Sequence, residues 1–546
     1  MTSLKKISLT LFAFLSVATA CKEDPIVQQV EEPLIIPASE VWWNDDVFYE
    51  IFVRSFYDSD GNGVGDFQGI IQKLDYLNDG DPSTESDLGV TALWLMPIFS
   101  SPSYHGYDIT DYRSVNSQYG TMSDFKQLVS EAHKRGIRII IDFVINHTSD
   151  QHSWFASSAS GNAAKRDWYV WSGTNPGYKG PWGQTVWHER NGSFYYGVFG
   201  SSLPDLNVLN TDVTAEIKDI ATYWYNETGI DGFRVDAARV LIANGEIQED
   251  TPATLGWWRK FFAFQKNLDP ALMTVGEVWT NTAQVVPYTD QRFDYCFEFD
   301  LSYAIINAVR SASKTALIGK MREIVNAYPT RQFGSFLTNH DQNRVIEELA
   351  LDVEKAKVAA GILLTLPGIP YLYYGDEVGM MGKKPDEDIR RPMQWSDAAN
   401  AGFTSGSPWR SINSNYPVYN VAKLQQAENS LWNNYRRLIK ARTSNSMLSE
   451  GSFEEVSSNF DFIFSFLRVK SGKGVLVVHN LSALTVKDTQ LSFAASSLAA
   501  GTYSIKDLLT NKDLGTLTIG SNGSLPAFTL PETLPYSSQL LALERL

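Results

Sequence analysis

The sequence predicts an α/β protein: a (β/α)8 TIM barrel with an inserted subdomain after strand 3 and a C-terminal antiparallel β-sandwich. Three observations carry this prediction. Eight short β-rich runs alternate with helix-period segments between residues 47 and 377, carboxylates stand at the C-terminal ends of four of those runs, and the helical period stops near Ser449. A chain of 546 residues allows about three or four domains and a large buried core.

The runs are 47–56, 92–98, 137–146, 232–237, 273–279, 293–300, 333–341 and 370–377. Amphipathic stretches at 121–135, 213–228, 254–267 and 355–366 lie between several of them and supply crossover helices. An open doubly wound sheet is the alternative, but no Gly-x-Gly-x-x-Gly follows the first run. The gap from His147 to Asn207 is too long for a plain crossover and is crowded with Trp and Tyr. It reads as a subdomain at the barrel mouth, over 147–207, with the barrel itself at 41–146 and 208–449. Beyond it, alternating strands with Gly, Asn and Ser turns fill 450–546.

Composition narrows the function. Lys and Arg number 46 against 62 Asp and Glu, a net charge of −16. Such a chain gains nothing from counterion release on a phosphate backbone, so nucleic acid is not an expected partner. Aromatic residues make up 13%, and flat rings suit both large cores and the faces of sugars.

At the N-terminus, Lys5 and Lys6 precede an apolar run over 7–20 that ends Ala18-Thr19-Ala20-Cys21. A charged start, an apolar run too short to span a bilayer and a small-residue cleavage site make a signal peptide over 1–20. The segment resembles a bacterial lipoprotein signal, in which Cys21 becomes the lipidated first residue and 21–40 a proline-bearing tether. Lys22-Glu23-Asp24 resembles the acidic signal that sends some Gram-negative lipoproteins to the cell surface. The expectation is an outer-membrane lipoprotein held by its lipid alone and exposed at the surface, with the periplasmic face as the alternative. Surface glycan-uptake proteins are expected neighbours. Cys296 is then alone, and its apolar surroundings argue for an inert buried thiol.

The carboxylates are Asp142, Asp236, Glu277 and Asp341. In a closed barrel the C-terminal strand ends meet on one face, where catalytic groups sit. A cluster of acids without a Ser-His triad or a His/Cys metal set suits glycosyl transfer, where a nucleophile and a general acid flank an oxocarbenium-like transition state. Arg234 lies two residues before Asp236, hence on the same strand face, and its charge is expected to keep Asp236 ionised as nucleophile. Apolar neighbours around Glu277 favour its protonated form as general acid. Asp341 is the third carboxylate, and spacing alone leaves it interchangeable with Glu277.

These segments resemble the four motifs of the α-amylase family of glycoside hydrolases, in order: Asp142-Phe-Val-Ile-Asn-His147, Gly232-Phe-Arg-Val-Asp-Ala-Ala-Arg239, Gly276-Glu-Val-Trp279 and Phe336-Leu-Thr-Asn-His-Asp341. Leu203-Pro-Asp-Leu-Asn207 is similar to the family's subdomain motif, and 368–377 to its eighth-strand motif. The resemblance implies a retaining mechanism with Asp236 as nucleophile, Glu277 as acid/base and Asp341 as transition-state stabiliser. It implies sugar contacts from Tyr107, Asp108, His147, Arg234, His340, Arg344 and Arg390. One departure is Arg239-Val240, where many amylases have Lys-His on the leaving-group side.

Asp58-Ser-Asp60-Gly-Asn62-Gly-Val64-Gly-Asp66 sets oxygen ligands at every second residue. That spacing suits Ca²⁺, although the bidentate Glu of an EF-hand is missing. The loop resembles the structural calcium loop of the oligo-1,6-glucosidase and neopullulanase-like branches. This implies ligands from Asp58, Asp60, Asn62, the Val64 carbonyl and Asp66. The expected activity is endo-cleavage of α-1,4 bonds in starch-like glucans and maltooligosaccharides. An exo-acting or α-1,6-active glucosidase, a transglycosylase and a catalytically silent glycan-binding barrel are the alternatives.

Overall fold

The computed structural model describes residues 41–328 and 332–546. The predicted signal peptide, the tether and Cys21 lie outside the described residues.

Eight parallel strands close into a barrel: β1 (Phe48–Ile51), β2 (Ala92–Leu95), β3 (Arg138–Phe143), β4 (Gly232–Val235), β5 (Met273–Gly276), β6 (Tyr295–Phe297), β7 (Phe333–Phe336) and β8 (Ile369–Tyr373). Each pairs with its neighbour in sequence, and β8 returns to β1 through Phe48 opposite Tyr371. Seven of them lie inside the predicted runs; β8 opens one residue early. The strands are shorter than the runs, so Asp236 and Glu277 stand just past the last paired residues of β4 and β5 rather than within them.

Bulky inward side chains fill the barrel, among them Phe48, Trp94, Met273, Tyr295, Phe297, Phe336 and Tyr371. Phe48 and Tyr371 stack with centroids 4.5 Å apart. This crowding demands a small residue on β7: a Cβ at Gly334 would stand 3.0 Å from the Phe297 ring.

Helices wrap the outside. Met122–Lys134 starts at a capping box in which Thr121 and Asp124 satisfy each other's backbone N–H. Its Phe125, Leu128, Val129 and Ala132 fall on one face and are buried. Truncating Leu128 to Ala would cost about 2–5 kcal/mol. Pro252–Leu268 begins two residues before the predicted 254, because Thr251 caps the N–H of Thr254 and Pro252 occupies the first turn, where no N–H is needed.

The segment after β3 carries a short helix (Ser153–Ala159) and a three-stranded antiparallel sheet of Trp171–Ser172, Ser193–Tyr196 and Trp187–Arg190. After residue 450, six-stranded and three-stranded antiparallel sheets share a core that includes Leu467, Leu476, Leu491, Leu530 and Leu541. This domain grips the helix that feeds β8, Val353–Thr365. Arg468 donates to the Thr365 carbonyl at 2.6 Å, and His479 Nε2 lies 3.0 Å from the Thr365 hydroxyl. No helix among the described residues is long and apolar enough to cross a membrane.

Candidate active site

One guanidinium organises the barrel mouth. Arg234, on β4, is 1% exposed and reaches three carboxylates. Its Nη1 donates to both oxygens of Asp142 (2.8 and 3.0 Å) and to Asp236 Oδ1 (2.7 Å). Its Nη2 stands 3.0 Å from Glu277 Oε2. The chain then turns sharply: Ala237 takes a left-handed conformation, φ 49°, unusual for a residue with a Cβ. That turn aims the Ala237 N–H at Glu277 Oε2, 2.9 Å away. Strain beside a reacting group is the usual place for such an outlier.

Asp341 is held from the other side. Arg390 Nη2 donates to it at 2.8 Å, and His340 Nε2 lies 3.1 Å away. The His340 ring is fixed at both nitrogens, with Nδ1 2.5 Å from Glu50 Oε1 and Nε2 2.6 Å from the Tyr107 hydroxyl. That hydroxyl donates to Asp142 Oδ2 at 3.2 Å. A continuous polar chain therefore runs from Glu50 on β1 through His340, Tyr107 and Asp142 to Arg234 and the remaining acids.

These surroundings separate the carboxylates. Burial pushes Glu277 up to about 7, against the pull of Arg234 and with help from the charges of Asp236 and Asp341. Burial likewise raises Asp236 to about 6; Arg234 opposes it but does not win. Arg234 thus favours the ionised form of Asp236, as its place two residues earlier on the strand leads one to expect, without cancelling the effect of burial. Asp341 is the opposite case. Burial works to raise it, but the His340 imidazolium and Arg390 hold it far below the usual carboxylate range. Burial alone would discharge His340, yet Asp341 and Glu50 raise it to about 10. Burial lowers His147 to about 4, outweighing the Tyr107 carbonyl and the charge of Asp108, and the ring stays neutral.

Asp236, Glu277 and Asp341 open together into a cavity of about 720 Å³, walled also by Tyr107, His147 and Arg390. The other expected sugar contacts lie beneath that wall. Arg234 and His340 are sealed among the acids they support. Asp108 accepts from Ser101 at 2.6 Å and from the Ser103 hydroxyl, bracing the turn that presents Tyr107. Arg344 is fully buried and turned away: it donates to the carbonyls of Ile389 and Tyr374 and lies over the Tyr373 ring. A guanidinium with no exposure must find carbonyls, and here it ties the end of β8 to the following loop. Asp108 and Arg344 are thus held by protein contacts, and neither is among the residues that wall the cavity.

The cavity adds residues that the sequence reading did not single out: His105, Phe199 and Asp386. Their motifs carry no charge pattern that marks them. Glu50 was legible in principle, as the one acid within Phe48–Ile51, an otherwise apolar strand buried on both faces. Cys296 is buried and free, its thiol pushed up by burial.

On the loop after β1, Asp58, Asp60 and Asp66 bring carboxylate oxygens within 4.8 Å of one another. Asp58 accepts from the N–H of Asp60, Gly61 and Gly63, and from the Thr404 hydroxyl across the loop after β8. Asp66 caps the helix Phe67–Gln72 through the Gly69 N–H. Asn62 Oδ1 accepts from Val64 at 2.8 Å. Gly63 has no room for a side chain: a Cβ would fall 1.9 Å from the Ser407 carbonyl oxygen.

The family model of the alpha-amylase catalytic domain matches residues 50–451. The chain is 40% identical over 453 residues to Alpha-amylase 3 of Dictyoglomus thermophilum, covering 82% of this chain and 86% of that relative. It is 32% identical to Glucan 1,6-alpha-glucosidase of Streptococcus pneumoniae, with 87% and 98% covered. Among solved structures, an alpha-amylase from H. orenii aligns with a TM-score of 0.79 at 40% identity, over 91% of this chain and 99% of that one. With a catalytic-domain model spanning most of the barrel and relatives aligned over most of both lengths, the chain belongs to the α-amylase family of glycoside hydrolases.

Proposed function

We propose that this glycoside hydrolase is an endo-acting α-amylase that cleaves internal α-1,4 bonds of starch-like glucans with retention of configuration. The observation that carries the reading is the single guanidinium shared by Asp236 and Glu277. Retaining enzymes keep their two carboxyls about 5–5.5 Å apart, whereas inverting ones leave about 6.5–9.5 Å for a water. A fork that grips both acids favours the close spacing.

In the first step Asp236 attacks the anomeric carbon, forming a glycosyl ester. The bond to the leaving oxygen breaks as Glu277 passes its proton to that oxygen. In the second step Glu277 takes a proton from water, whose oxygen attacks the same carbon and releases Asp236. Asp341, held ionised, stabilises the positive charge that develops on the sugar ring and accepts from its hydroxyls. Activity needs Asp236 ionised and Glu277 protonated, so it rises as pH passes up through about 6 and falls above about 7. The two apparent values belong to the pair.

The 40% identity to two proteins named alpha-amylase supports the α-1,4 reading. The identity to Glucan 1,6-alpha-glucosidase favours α-1,6 action as a second reading. Product analysis over time from soluble amylose separates them, with Asp236→Asn as control and isomaltose in parallel. Mixed maltooligosaccharides and a rapid loss of iodine staining are expected. Glucose alone from the start, or preferred attack on isomaltose, overturns the endo reading.

The same proposal includes a structural Ca²⁺ held by Asp58, Asp60, Asn62, Asp66 and the Val64 carbonyl. The donor set fits: three carboxylates in one small volume are hard oxygens that repel one another without a cation. The ion would brace the loop after β1 against the loop after β8 and take no part in the chemistry. Lipid attachment at Cys21, tested by loss of palmitate labelling in Cys21→Ser, would bring the enzyme to polymer outside the cell.

A further inference from the structure

Arg390 brings a guanidinium to Asp341 from a stretch without regular structure. It follows the one-turn helix Asp386–Ile389 and is 2% exposed. Its Nε donates to the His340 carbonyl at 2.9 Å, and its Nη2 to Asp341 Oδ1 at 2.8 Å and Asp386 Oδ2 at 3.2 Å. The first two contacts fall on adjoining residues, so a small shift of the Arg390 backbone would break both. Misplacement by about 1 Å can cost a reaction about 10²-fold.

Buried side chains fix that backbone at three consecutive carbonyls. Ile389 O accepts from Arg344 Nε at 2.9 Å and from the Tyr373 hydroxyl at 3.1 Å. Arg390 O accepts from the Ser55 hydroxyl at 2.5 Å, and Arg391 O from the Tyr374 hydroxyl at 2.8 Å. Arg344, Tyr373, Tyr374 and Ser55 are each at most 1% exposed. Tyr373 and Tyr374 stand at the end of β8, whereas Ser55 comes from the short helix Val53–Phe56 after β1.

The bonds of Ser55 have only one possible direction. An indole N–H is a donor only, and a hydroxyl has one proton to give. Trp409 Nε1, 2.9 Å away, must therefore donate to Ser55 Oγ, which leaves the hydroxyl proton for the Arg390 carbonyl. The Ser55 carbonyl in turn accepts from the Met393 N–H at 2.8 Å. One serine thus grips the segment at Arg390 and again three residues on. Alanine would serve packing alone, and a hydroxyl without exposure is tolerated only where its bonds are made.

We propose that Ser55 is a positioning residue for the glycosidase reaction: by holding the Arg390 carbonyl it keeps the Arg390 guanidinium on Asp341. It touches neither the sugar nor the reacting atoms. This rests on the reading of Asp341 as the stabiliser of developing charge, and adds what sets that carboxylate in place.

The test is a double-mutant cycle in the full-length protein: parent, Ser55→Ala, Arg390→Gln and the pair, with kcat and KM on maltoheptaose. Maltoheptaose affinity is measured by calorimetry in Asp236→Asn with and without Ser55→Ala, and thermal unfolding checks that each variant folds. Ser55→Ala is expected to lower kcat about tenfold, the scale of one loosened charge-assisted hydrogen bond. Affinity is expected to stay within about twofold, since the contact matters in the transition state. In the Arg390→Gln background the same substitution is expected to cost nothing further, because both act through one guanidinium. A parental kcat, an equal loss in both backgrounds, or an affinity loss as large as the loss in kcat overturns the positioning role. If Ser55→Ala does not fold, Ser55→Cys, which fills the site with a weak donor, enters the same cycle with the same deciding outcomes. Asp341→Asn is run alongside: if it keeps the parental kcat, the stabiliser reading fails and the positioning role fails with it.

Discussion

Replacing Arg234 by Lys is the sharpest test of the electrostatic argument. Lys keeps the charge but replaces a rigid fork by a point donor, so it cannot serve Asp142, Asp236 and Glu277 together. Arg234 lowers both Asp236 and Glu277 against the effect of burial. A hydrogen bond to a charged group contributes about 1.5–3 kcal/mol, and one pKa unit is about 1.36 kcal/mol. Losing one such bond therefore moves the affected acid up by about one to two units. For Asp236, which starts near 6, a rise of one unit cuts the ionised fraction at pH 6 from about one half to about one tenth, a fivefold loss. The whole bell is expected to move to higher pH, and its height to fall. The assay is kcat/KM for maltoheptaose from pH 4 to 9, with thermal unfolding alongside to show that the variant folds. A folded variant with reduced height but unmoved limbs would refute the reasoning, since Arg234 would then act through geometry alone.

Glu50→Gln keeps the shape beside His340 but removes one of the two charges that raise it; NMR titration of His340 is expected to show its value falling from about 10 toward the ordinary range. Glu277→Gln removes the proton donor and is expected to cost about 10²–10⁴ in kcat/KM on maltooligosaccharides, and far less on an aryl glucoside whose leaving group needs no proton. Chelation is expected to lower the melting temperature of the parent protein and to leave Asp60→Ala unmoved. At a cation concentration about 1,000 times Kd the ion contributes about 4 kcal/mol, and an equal response of parent and variant would remove Asp60 from the site.

The barrel was legible because buried parallel strands read as short apolar runs, and because each acid past a strand end broke such a run. Asp236 and Glu277 follow Val235 and Gly276 directly, so the carboxylate pair could be located before any contact was known. What could not be read was depth. Tyr107 and Asp108 are adjacent, yet one faces the cavity and the other braces a turn from behind. Arg344 and Arg390 looked alike in sequence, but only the fold decides which guanidinium finds carbonyls and which finds Asp341. Trp182 shares a Trp- and Tyr-rich segment with packed rings, yet it is exposed and lines the cavity. Distant pairings such as Glu50 with His340 join residues nearly 300 positions apart and carry no local signature.

The grip of the C-terminal sheets on Thr365 bears on whether the catalytic part can be used alone. Thr365 ends the helix that delivers the chain into β8, and its carbonyl has no partner within that helix. A truncation at residue 450 would remove Arg468 and His479 together and open the side of the helix that meets the sandwich. Water can take over the Thr365 carbonyl, so the cost lies in the apolar surface newly exposed, about 25 cal/mol per Å², against a total margin of about 5–15 kcal/mol. The sandwich touches none of the three acids, yet it is not a detachable module: shortened versions or domain exchanges at this boundary must cover the same side of that helix, or the eighth strand loses its footing.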